Sequence, residues 1–289
     1  MAPLPLTPTT PFGPNKILPI VICLDVSASM NGPSYGTKKR WMLQNESVRQ
    51  LLCQLAYWTK SRETAEIAFI AYSDKIVCES PFMSLTKLNF EQLCCDNVPV
   101  RSTQVHTKVK EDNNFSSITL TAPEFRPTNG RVGTYSSPAL NCAIEKLELY
   151  RTELQKNHKD YYTPFMVFFS GCEKNLLWDN HPIKKAEKDR DIAMLKSKCA
   201  NHLEVSDVII PFIVGIGNAV QKTCLREYAA GFPEGYLQVP EVTAYNLGEQ
   251  ELVANTFKLL AKSIADSTAC KGGTKDLKNL LARIIVEAQ

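Results

Sequence analysis

A carboxylate and two hydroxyl side chains occupy alternate positions in one short segment, as Asp25, Ser27 and Ser29. Oxygen ligands of this kind are preferred by hard divalent cations such as Mg²⁺, usually with few protein carboxylates. Another hydroxyl, Thr134, stands just before a predicted helix. The same spacing is typical of a polar turn in which the two serines cap a helix, so a metal site and a polar turn are both open interpretations.

A phosphohydrolase with Asp25 as nucleophile is a third interpretation of the same residues. Such phosphatases use a second carboxylate two residues on as general acid, but that position is Ser27, whose hydroxyl does not protonate a leaving group at neutral pH. Residues 215–217, Gly-Ile-Gly, lack the Gly-Lys-Ser/Thr ending of a phosphate-binding loop. The favoured prediction is therefore binding without catalysis, and the phosphohydrolase is the weaker alternative.

The hydrophobic pattern predicts the elements that must position these side chains. Residues 17–24 form a continuous apolar run, typical of a strand buried on both faces of a parallel sheet. Apolar periodicity predicts helices over 38–60, 136–154, 182–202, 219–230 and 249–266, and strands over 66–72, 165–169, 208–214 and 235–239, with an edge strand within 74–81. This alternation predicts an α/β fold with a mostly parallel central sheet and helices on both faces. Sites in such sheets lie at the carboxyl ends of the strands.

Length and composition predict one large domain with a segment on either side. The 289 residues are 44% hydrophobic and 22% charged, which excludes a disordered chain. The proline-rich residues 1–16 predict an extended lead-in, residues 17–266 the domain, and residues 267–289 a tail that contains one more helix. Residues 96–133 are polar with little periodicity, which predicts an elaborated loop or insertion with a short strand at 117–121.

Charge and cysteine content limit the partners and the compartment. The net charge of +3 is too small to indicate nucleic-acid binding, and no apolar run is long enough for a signal or membrane segment. The ten cysteines include no C-x-x-C pair, and Cys94 and Cys95 are predicted to be free thiols in a cytoplasmic protein. Sequons at Asn45 and Asn114 are predicted to be coincidental. The sequence does not indicate an oligomeric state.

Three separated segments resemble, in order, the von Willebrand factor A (vWA) family. They are residues 18–30, 133–140 and 214–217, and the resemblance covers roughly residues 17–266. It implies a Rossmann-like vWA domain. Among vWA proteins the chain looks most like the bacterial TerY-type intracellular group, which implies a role in a multi-protein stress-response or defence system.

The vWA resemblance implies a metal-ion-dependent adhesion site. Asp25, Ser27, Ser29 and Thr134 would surround Mg²⁺ or Mn²⁺ and leave one coordination position for an acidic residue of a partner protein. The function implied is protein binding. The predicted partner contacts lie next to the ligands in the sequence and are Met30, Asn31, Tyr135, Ser170 and Gly171.

One position departs from the family pattern. The family has Thr-Asp-Gly after its fourth core strand, whereas this chain has Ser-Gly-Cys at 170–172, so Gly171 replaces the last aspartate. Because metal affinity depends on the number of ligand charges, a weaker site is implied, or one that fills only with a partner carboxylate present. Asp179 is a candidate substitute ligand. The alternative is a metal-free pseudo-site scaffold that binds through its surface.

Overall fold

The computed structural model describes most of residues 16–216 and one strand beyond them. The described residues are 16–32, 39–57, 59–91, 93, 100–111, 114–127, 134–162, 164–170, 181–198, 209–216 and 244–246. The predictions that fall outside these residues are the lead-in over 1–15, the elements at 219–230, 235–239 and 249–266, the thiols of Cys94 and Cys95, and the tail over 267–289.

The described residues contain nine strands and four α-helices. The strands are β1 (Leu18–Asp25), β2 (Ala65–Tyr72), β3 (Ile76–Glu79), β4 (Met83–Ser84), β5 (Val100–Glu111), β6 (Asn114–Phe125), β7 (Phe165–Ser170), β8 (Ile210–Gly215) and β9 (Ala244–Asn246). The helices are α1 (Arg40–Tyr57), α2 (Thr59–Thr64), α3 (Ser137–Lys156) and α4 (Pro182–Lys198). Two short 3₁₀ helices span Ala28–Asn31 and Leu85–Lys87. None of the described helices is long and apolar enough to cross a membrane.

Seven strands form the central sheet, in the order β3-β2-β1-β7-β8-β9, with β4 also paired to β2. Strand β1 is parallel to both β2 and β7, and β8 is parallel to both β7 and β9. Strands β3 and β4 are antiparallel to β2. Strands β1 and β2 stay in register from Leu18 opposite Ala65 to Asp25 opposite Tyr72. The predicted α/β class with a mostly parallel sheet is confirmed, and the edge strand predicted within 74–81 is β3.

Both faces of the sheet are covered by helices, because β1 sends its buried side chains alternately to two cores. Leu18, Ile20, Ile22 and Leu24 pack in the core that contains the buried face of α1. Val21 and Cys23 pack on the other face with α3 and with Ile192 of α4. A strand buried on both sides needs apolar residues at every position, which is why residues 17–24 are continuously apolar.

Residues 96–133, predicted as an elaborated loop or insertion, contain a long β-hairpin, and the strand predicted at 117–121 lies within its second strand. Strands β5 and β6 have twelve residues each and pair from Val100 opposite Phe125 to Glu111 opposite Asn114, as a separate two-stranded sheet. One face of the hairpin packs against the α1 core through Val109 and Leu120. The other face is exposed and rich in Ser and Thr. These residues predict a loop when only neighbouring positions are considered, although Thr is also common in strands.

Asn45, a buried side chain of α1, fixes the end of the hairpin. Its Nδ2 donates to the Phe125 carbonyl at 2.9 Å, and its Oδ1 accepts from the Phe125 amide at 3.2 Å. The carboxamide thus takes the place of a neighbouring strand. Since Asn45 is only 4% exposed and both ends of its amide are bonded, the folded chain does not present it as a glycan acceptor.

We expect Asn45→Ala to lower the free energy of unfolding by about 2 kcal/mol, because two buried backbone groups of Phe125 lose their partners. Urea denaturation followed by circular dichroism measures this change. Asn141→Ala is the matched control, since the Asn141 amide donates to Glu145 in an exposed setting, and it should cost less than about 0.5 kcal/mol. Equal losses in the two variants would contradict the anchoring role of Asn45.

The described cysteines differ in their chemistry. Cys78 of β3 is disulfide-bonded, whereas Cys23, Cys53 and Cys142 are free thiols. Burial raises the pKa of Cys23 well above its ordinary value, and burial together with a hydrogen bond to Glu79 raises the pKa of Cys142 to about 12, so neither is a reactive thiolate at neutral pH. Disulfides are typical of oxidising compartments and rare in the cytosol. The bond at Cys78 therefore weighs against the cytoplasmic localisation, which stays a prediction.

Candidate metal centre

The candidate site lies where β1 and β7 separate. The two strands pair from Ile20 opposite Phe165 to Cys23 opposite Phe168, and each then continues for two more residues without its neighbour. Strand β2 lies beside β1 on one side of this opening, and β8 lies beside β7 on the other side. The chain therefore leaves β1 and β7 in opposite directions across the sheet. A point at which the strand order changes direction in this way is where open α/β sheets bind ligands.

Side chains replace the missing strand contacts at this opening. The Val26 amide donates to the Tyr72 carbonyl at 2.8 Å, so the N–H and C=O of Asp25 point away from β2. There the Asp25 amide donates to Gln44 Oε1 at 3.1 Å, and Gln44 Nε2 donates to the Asp25 carbonyl at 3.0 Å. On the β7 side, the Tyr72 hydroxyl donates to the Phe169 carbonyl at 2.7 Å. Every one of these buried backbone groups is therefore paired.

Gln44 and Tyr72 were not singled out from the sequence. The detectable signal is at Gln44, which lies between the buried residues Leu43 and Val48 on the core face of α1. Burying a carboxamide is costly unless it is hydrogen-bonded, so a glutamine at such a position indicates a buried polar partner. The pattern alone does not say which backbone group that partner is.

The structure brings the three predicted hydroxyl ligands together. Ser27 Oγ lies 2.8 Å from Ser29 Oγ and 2.7 Å from Thr134 Oγ1, and the last two oxygens are 3.4 Å apart. Asp25 adjoins them, because its Oδ1 accepts from the Ser27 amide at 2.9 Å. The convergence of these residues agrees with the predicted site, and their role as metal ligands stays a prediction.

The spacing of the three hydroxyl oxygens suits an octahedral cation. Mg²⁺ binds oxygen ligands at about 2.0–2.1 Å, so adjacent ligands in an octahedron stand about 3.0 Å apart. The observed separations of 2.7, 2.8 and 3.4 Å lie on both sides of that value. Three neutral hydroxyls next to one carboxylate are hard oxygen donors, and this donor set fits Mg²⁺ or Mn²⁺.

Asp25 is the carboxylate that the described residues contribute to this site. No group of three or more His, Cys, Asp or Glu side chains that could hold a metal occurs in the described ranges, so a conventional carboxylate or thiolate cage is absent from that part of the chain. Gly171, a predicted partner contact, and Asp179, the candidate substitute ligand, lie outside the described residues.

The donor set is accessible from one side. Asp25 and Ser27 are fully buried, whereas Ser29 and Thr134 are half-buried and form the outer side of the site. Beneath the outer serine, the buried Arg40 donates from Nη1 to the Ser29 carbonyl at 3.4 Å. A group from another molecule would therefore approach over Ser29 and Thr134.

Helix α4 holds the loop that carries the threonine. The Tyr135 hydroxyl donates to Glu187 Oε2 at 2.8 Å, with the Lys184 carbonyl as a second acceptor at 3.1 Å. The Lys184 ammonium also lies 4.6 Å from the centre of the Tyr135 ring. The next contact along α4 is made by Asp191, a buried carboxylate that accepts from the Ser137 hydroxyl. Burial and the hydrogen bond to Glu187 raise the pKa of Tyr135 to about 12, so its hydroxyl stays protonated at neutral pH.

The predicted partner contacts differ in their exposure. Asn31 is exposed next to the site. Met30 packs in the hydrophobic core, Tyr135 is held against α4, and Ser170 is buried at the end of β7. In this conformation Asn31 presents its side chain to solvent, while the other three support the loops. Partner binding by these residues stays a prediction.

Comparison with known proteins adds a similarity of general layout. The chain matches no protein-family model and no curated protein. Similar solved structures include a von Willebrand factor type A protein from Catenulispora acidiphila, at 11% identity over 86% of this chain and 43% of that chain, with a TM-score of 0.47. Another is the PilB minor pilin from Streptococcus sanguinis, at 10% identity over 87% of this chain and 62% of that chain, with a TM-score of 0.48.

A further similar structure is the pilus adhesin SpaC from Lactobacillus rhamnosus GG, at 12% identity over 88% of this chain and 31% of that chain, with a TM-score of 0.44. The chain thus spans less than two thirds of the length of each of these three structures. With TM-scores below 0.5, the similarity does not extend to site residues or partners. The TerY-type relationship finds no support among these matches.

Proposed function

We propose that this protein is a protein-interaction module that holds Mg²⁺ or Mn²⁺ at Asp25, Ser27, Ser29 and Thr134 and binds a carboxylate of a partner protein there. The observation that carries the proposal is the triangle of hydroxyl oxygens, 2.7 to 3.4 Å apart, beside a buried carboxylate and open to solvent over its outer members. The bound cation would supply the positive charge that attracts the partner carboxylate. The residues of this chain supply the oxygen ligands and their fixed positions.

The charges at the site explain why a partner carboxylate belongs to the proposal. Asp25 offsets one of the two positive charges of a divalent cation, and the hydroxyl ligands are neutral. Gly171 adds no charge where the vWA family has an aspartate. A carboxylate from the partner would complete the neutralisation, so the cation and the partner should each tighten the binding of the other.

Burial of Asp25 favours binding over phosphoryl transfer. Asp25 is fully buried and its Oδ1 is bonded to the Ser27 amide, whereas a nucleophile must reach the substrate. The second candidate, a metal-free scaffold, has support in the hydrogen bonds that the three hydroxyls make with one another. The TerY resemblance would extend the proposal to a multi-protein stress-response or defence system in the cytoplasm, and the disulfide at Cys78 weighs against that compartment.

Titration of MgCl₂ and MnCl₂ into the full chain, by calorimetry and by thermal melting, tests the proposal. We expect saturable binding and a higher Tm, because a ligand that binds only the folded state stabilises it, by about 2.7 kcal/mol at a hundred times Kd. A short aspartate-containing peptide should tighten the binding of Mg²⁺. No metal response with or without that peptide would contradict the proposal and favour the metal-free scaffold.

Four variants separate the ligands from other hydroxyls and from catalysis. Ser29→Ala and Thr134→Ala should each weaken Mg²⁺ binding at least about tenfold, since changes around a metal site commonly cost that much. Ser84→Ala is the matched control, because Ser84 hydrogen-bonds to Thr86 on the exposed surface, and it should bind Mg²⁺ normally. Metal-dependent hydrolysis of a phosphate monoester that is lost in Asp25→Asn while the metal is still bound would instead establish the phosphohydrolase.

A further inference from the structure

A groove of about 450 Å³ runs along α3, away from the residues of the metal centre. One wall is formed by Glu79 at the end of β3 and by Pro81 and Phe82 in the segment that follows it. The other wall is a stripe of α3 at positions three or four residues apart, which places its members on one face of the helix. The stripe consists of Cys142, Glu145, Lys146, Leu149, Tyr150 and Glu153.

The middle of the groove is apolar and preformed. The rings of Phe82 and Tyr150 stack with their centres 3.9 Å apart and their planes at 14°. The Tyr150 hydroxyl donates to the carboxylate of Glu66, which holds the ring in place. Beside this pair, the side chain of Leu149 is 72% exposed and adds to the apolar surface. A rigid apolar surface costs little ordering when a ligand covers it.

Carboxylates stand on both sides of this apolar centre. Glu145 lies one helical turn before Leu149, and Glu153 lies one turn after it. The Glu153 carboxylate has no hydrogen bond or ion pair within the described ranges, and Glu145 accepts from a neighbouring asparagine of its own helix. Lys146, the cation among the lining residues, is bonded to Glu79 at 2.5 Å. The groove therefore presents negative charge, apolar surface and negative charge in that order.

The spacing of the two carboxylates selects the conformation of the ligand. Glu145 and Glu153 are two turns apart, about 12 Å along the axis at about 1.5 Å per residue. An extended peptide rises about 3.3 Å per residue, so about four residues span this distance. Residues i, i+2 and i+4 of such a peptide lie on one face, and this face can carry a cation, an apolar side chain and a second cation.

We propose that this groove binds an extended peptide with a large apolar residue between two basic residues. One Lys or Arg lies two positions before the apolar residue, and a second Lys or Arg lies two positions after it. The cations pair with Glu145 and Glu153, and the apolar side chain covers Leu149 and the Phe82–Tyr150 stack. The two carboxylates outside the Lys146 ion pair attract a basic segment and repel an acidic one. This site is independent of the proposed cation site, whose partner group is a carboxylate.

Fluorescence anisotropy of a labelled peptide, Ser-Lys-Ser-Leu-Ser-Lys-Ser, titrated with the full chain tests this proposal. EDTA in the buffer removes any contribution of the metal centre. We expect saturable binding that weakens as salt is added, because exposed charge pairs are screened. The peptide Ser-Ser-Lys-Leu-Lys-Ser-Ser has the same composition but places both cations on the opposite face, and it should bind at least about fivefold more weakly. Equal affinity for the two peptides, or no saturable binding, would overturn the proposal.

Variants of α3 locate the binding. The double variant Glu145→Gln and Glu153→Gln should weaken peptide binding about tenfold, because two exposed ion pairs are lost. Glu148→Gln removes one negative charge from a position of α3 that does not line the groove, and it should bind as the wild type does. Leu149→Ser should also weaken binding, and its 72% exposure leaves folding unaffected.

Two outcomes of the variants would overturn the proposal. One is equal peptide binding by the double variant and the wild type. The other is self-association in sedimentation that Leu149→Ser abolishes, because this would place a second copy of the chain in the groove. Magnesium titration of the same variants should be unchanged, which distinguishes failure at the groove from failure at the metal centre.

Discussion

Gln44→Leu should lower the free energy of unfolding by about 3 kcal/mol, since two buried backbone groups lose their partners at about 1–3 kcal/mol each. Gln44 is fully buried, and its carboxamide makes both a donor and an acceptor contact to the backbone of Asp25. Leucine keeps most of the volume and the apolar contacts of α1 but offers no hydrogen bond. Urea denaturation measures this loss, and an unchanged m-value would show that the variant changes stability and not the surface exposed on unfolding.

The matched control for this variant is Gln50→Leu, on the same helix. The Gln50 amide donates to Glu46 at 3.1 Å in a partly exposed setting, so its replacement should cost less than about 0.5 kcal/mol. Gln44→Leu should also weaken Mg²⁺ binding about tenfold, because Gln44 positions the strand end from which the ligands follow. A Gln44→Leu protein as stable as Gln50→Leu would contradict the role assigned to this carboxamide.

Ser137→Ala should destabilise the protein by about 2 kcal/mol, because hydrogen bonds to charged groups contribute about 1.5–3 kcal/mol. The Ser137 hydroxyl donates to Asp191, a carboxylate that is only 3% exposed and also accepts from Arg190 Nε at 3.1 Å. Without the Ser137 hydroxyl, the buried Asp191 carboxylate loses one of its hydrogen-bond donors. Denaturant unfolding measures the stability, and calorimetry with Mg²⁺ should show weaker binding, because Thr134 lies three residues before Ser137.

Ser197→Ala is the control for the serine contact. Its hydroxyl donates to the Met194 carbonyl within α4 at 2.7 Å and is exposed, so the change in unfolding free energy should be below about 0.5 kcal/mol. If Ser137→Ala were as stable as this control, the contact with Asp191 would not be what holds α4 to the loop of Thr134.

The hairpin shows where local patterns fail. Strands β5 and β6 expose polar residues such as Thr119, which hydrogen-bonds to His106 at 2.9 Å across the two strands. The buried apolar residues of the hairpin, such as Val109 and Leu120, pack in the core that contains α1, which is far away in the sequence. A window of polar Ser and Thr residues is common to loops and to exposed strand faces, so periodicity did not distinguish them.

The α/β class and the cluster of oxygen-bearing side chains after β1 could be predicted from the sequence alone, because both are local properties. A strand buried on both faces is apolar at every position, as in residues 17–24, and an amphipathic helix repeats its apolar stripe within a few turns, as in α1 and α3. Asp25, Ser27 and Ser29 lie within five residues and directly follow this apolar run, so their common position at the end of a strand could be predicted.

The groups that join these residues from distant parts of the chain are visible only in the folded protein. Thr134 Oγ1 lies 2.7 Å from Ser27 Oγ although the residues are 107 positions apart, and Gln44 reaches the Asp25 backbone across 19 positions. Helix α4 is rich in charged residues, and two of them, Glu187 and Asp191, hold the loop next to the site. Such contacts depend on how helices pack on the sheet and on where β1 and β7 separate, and no short stretch of sequence contains that information.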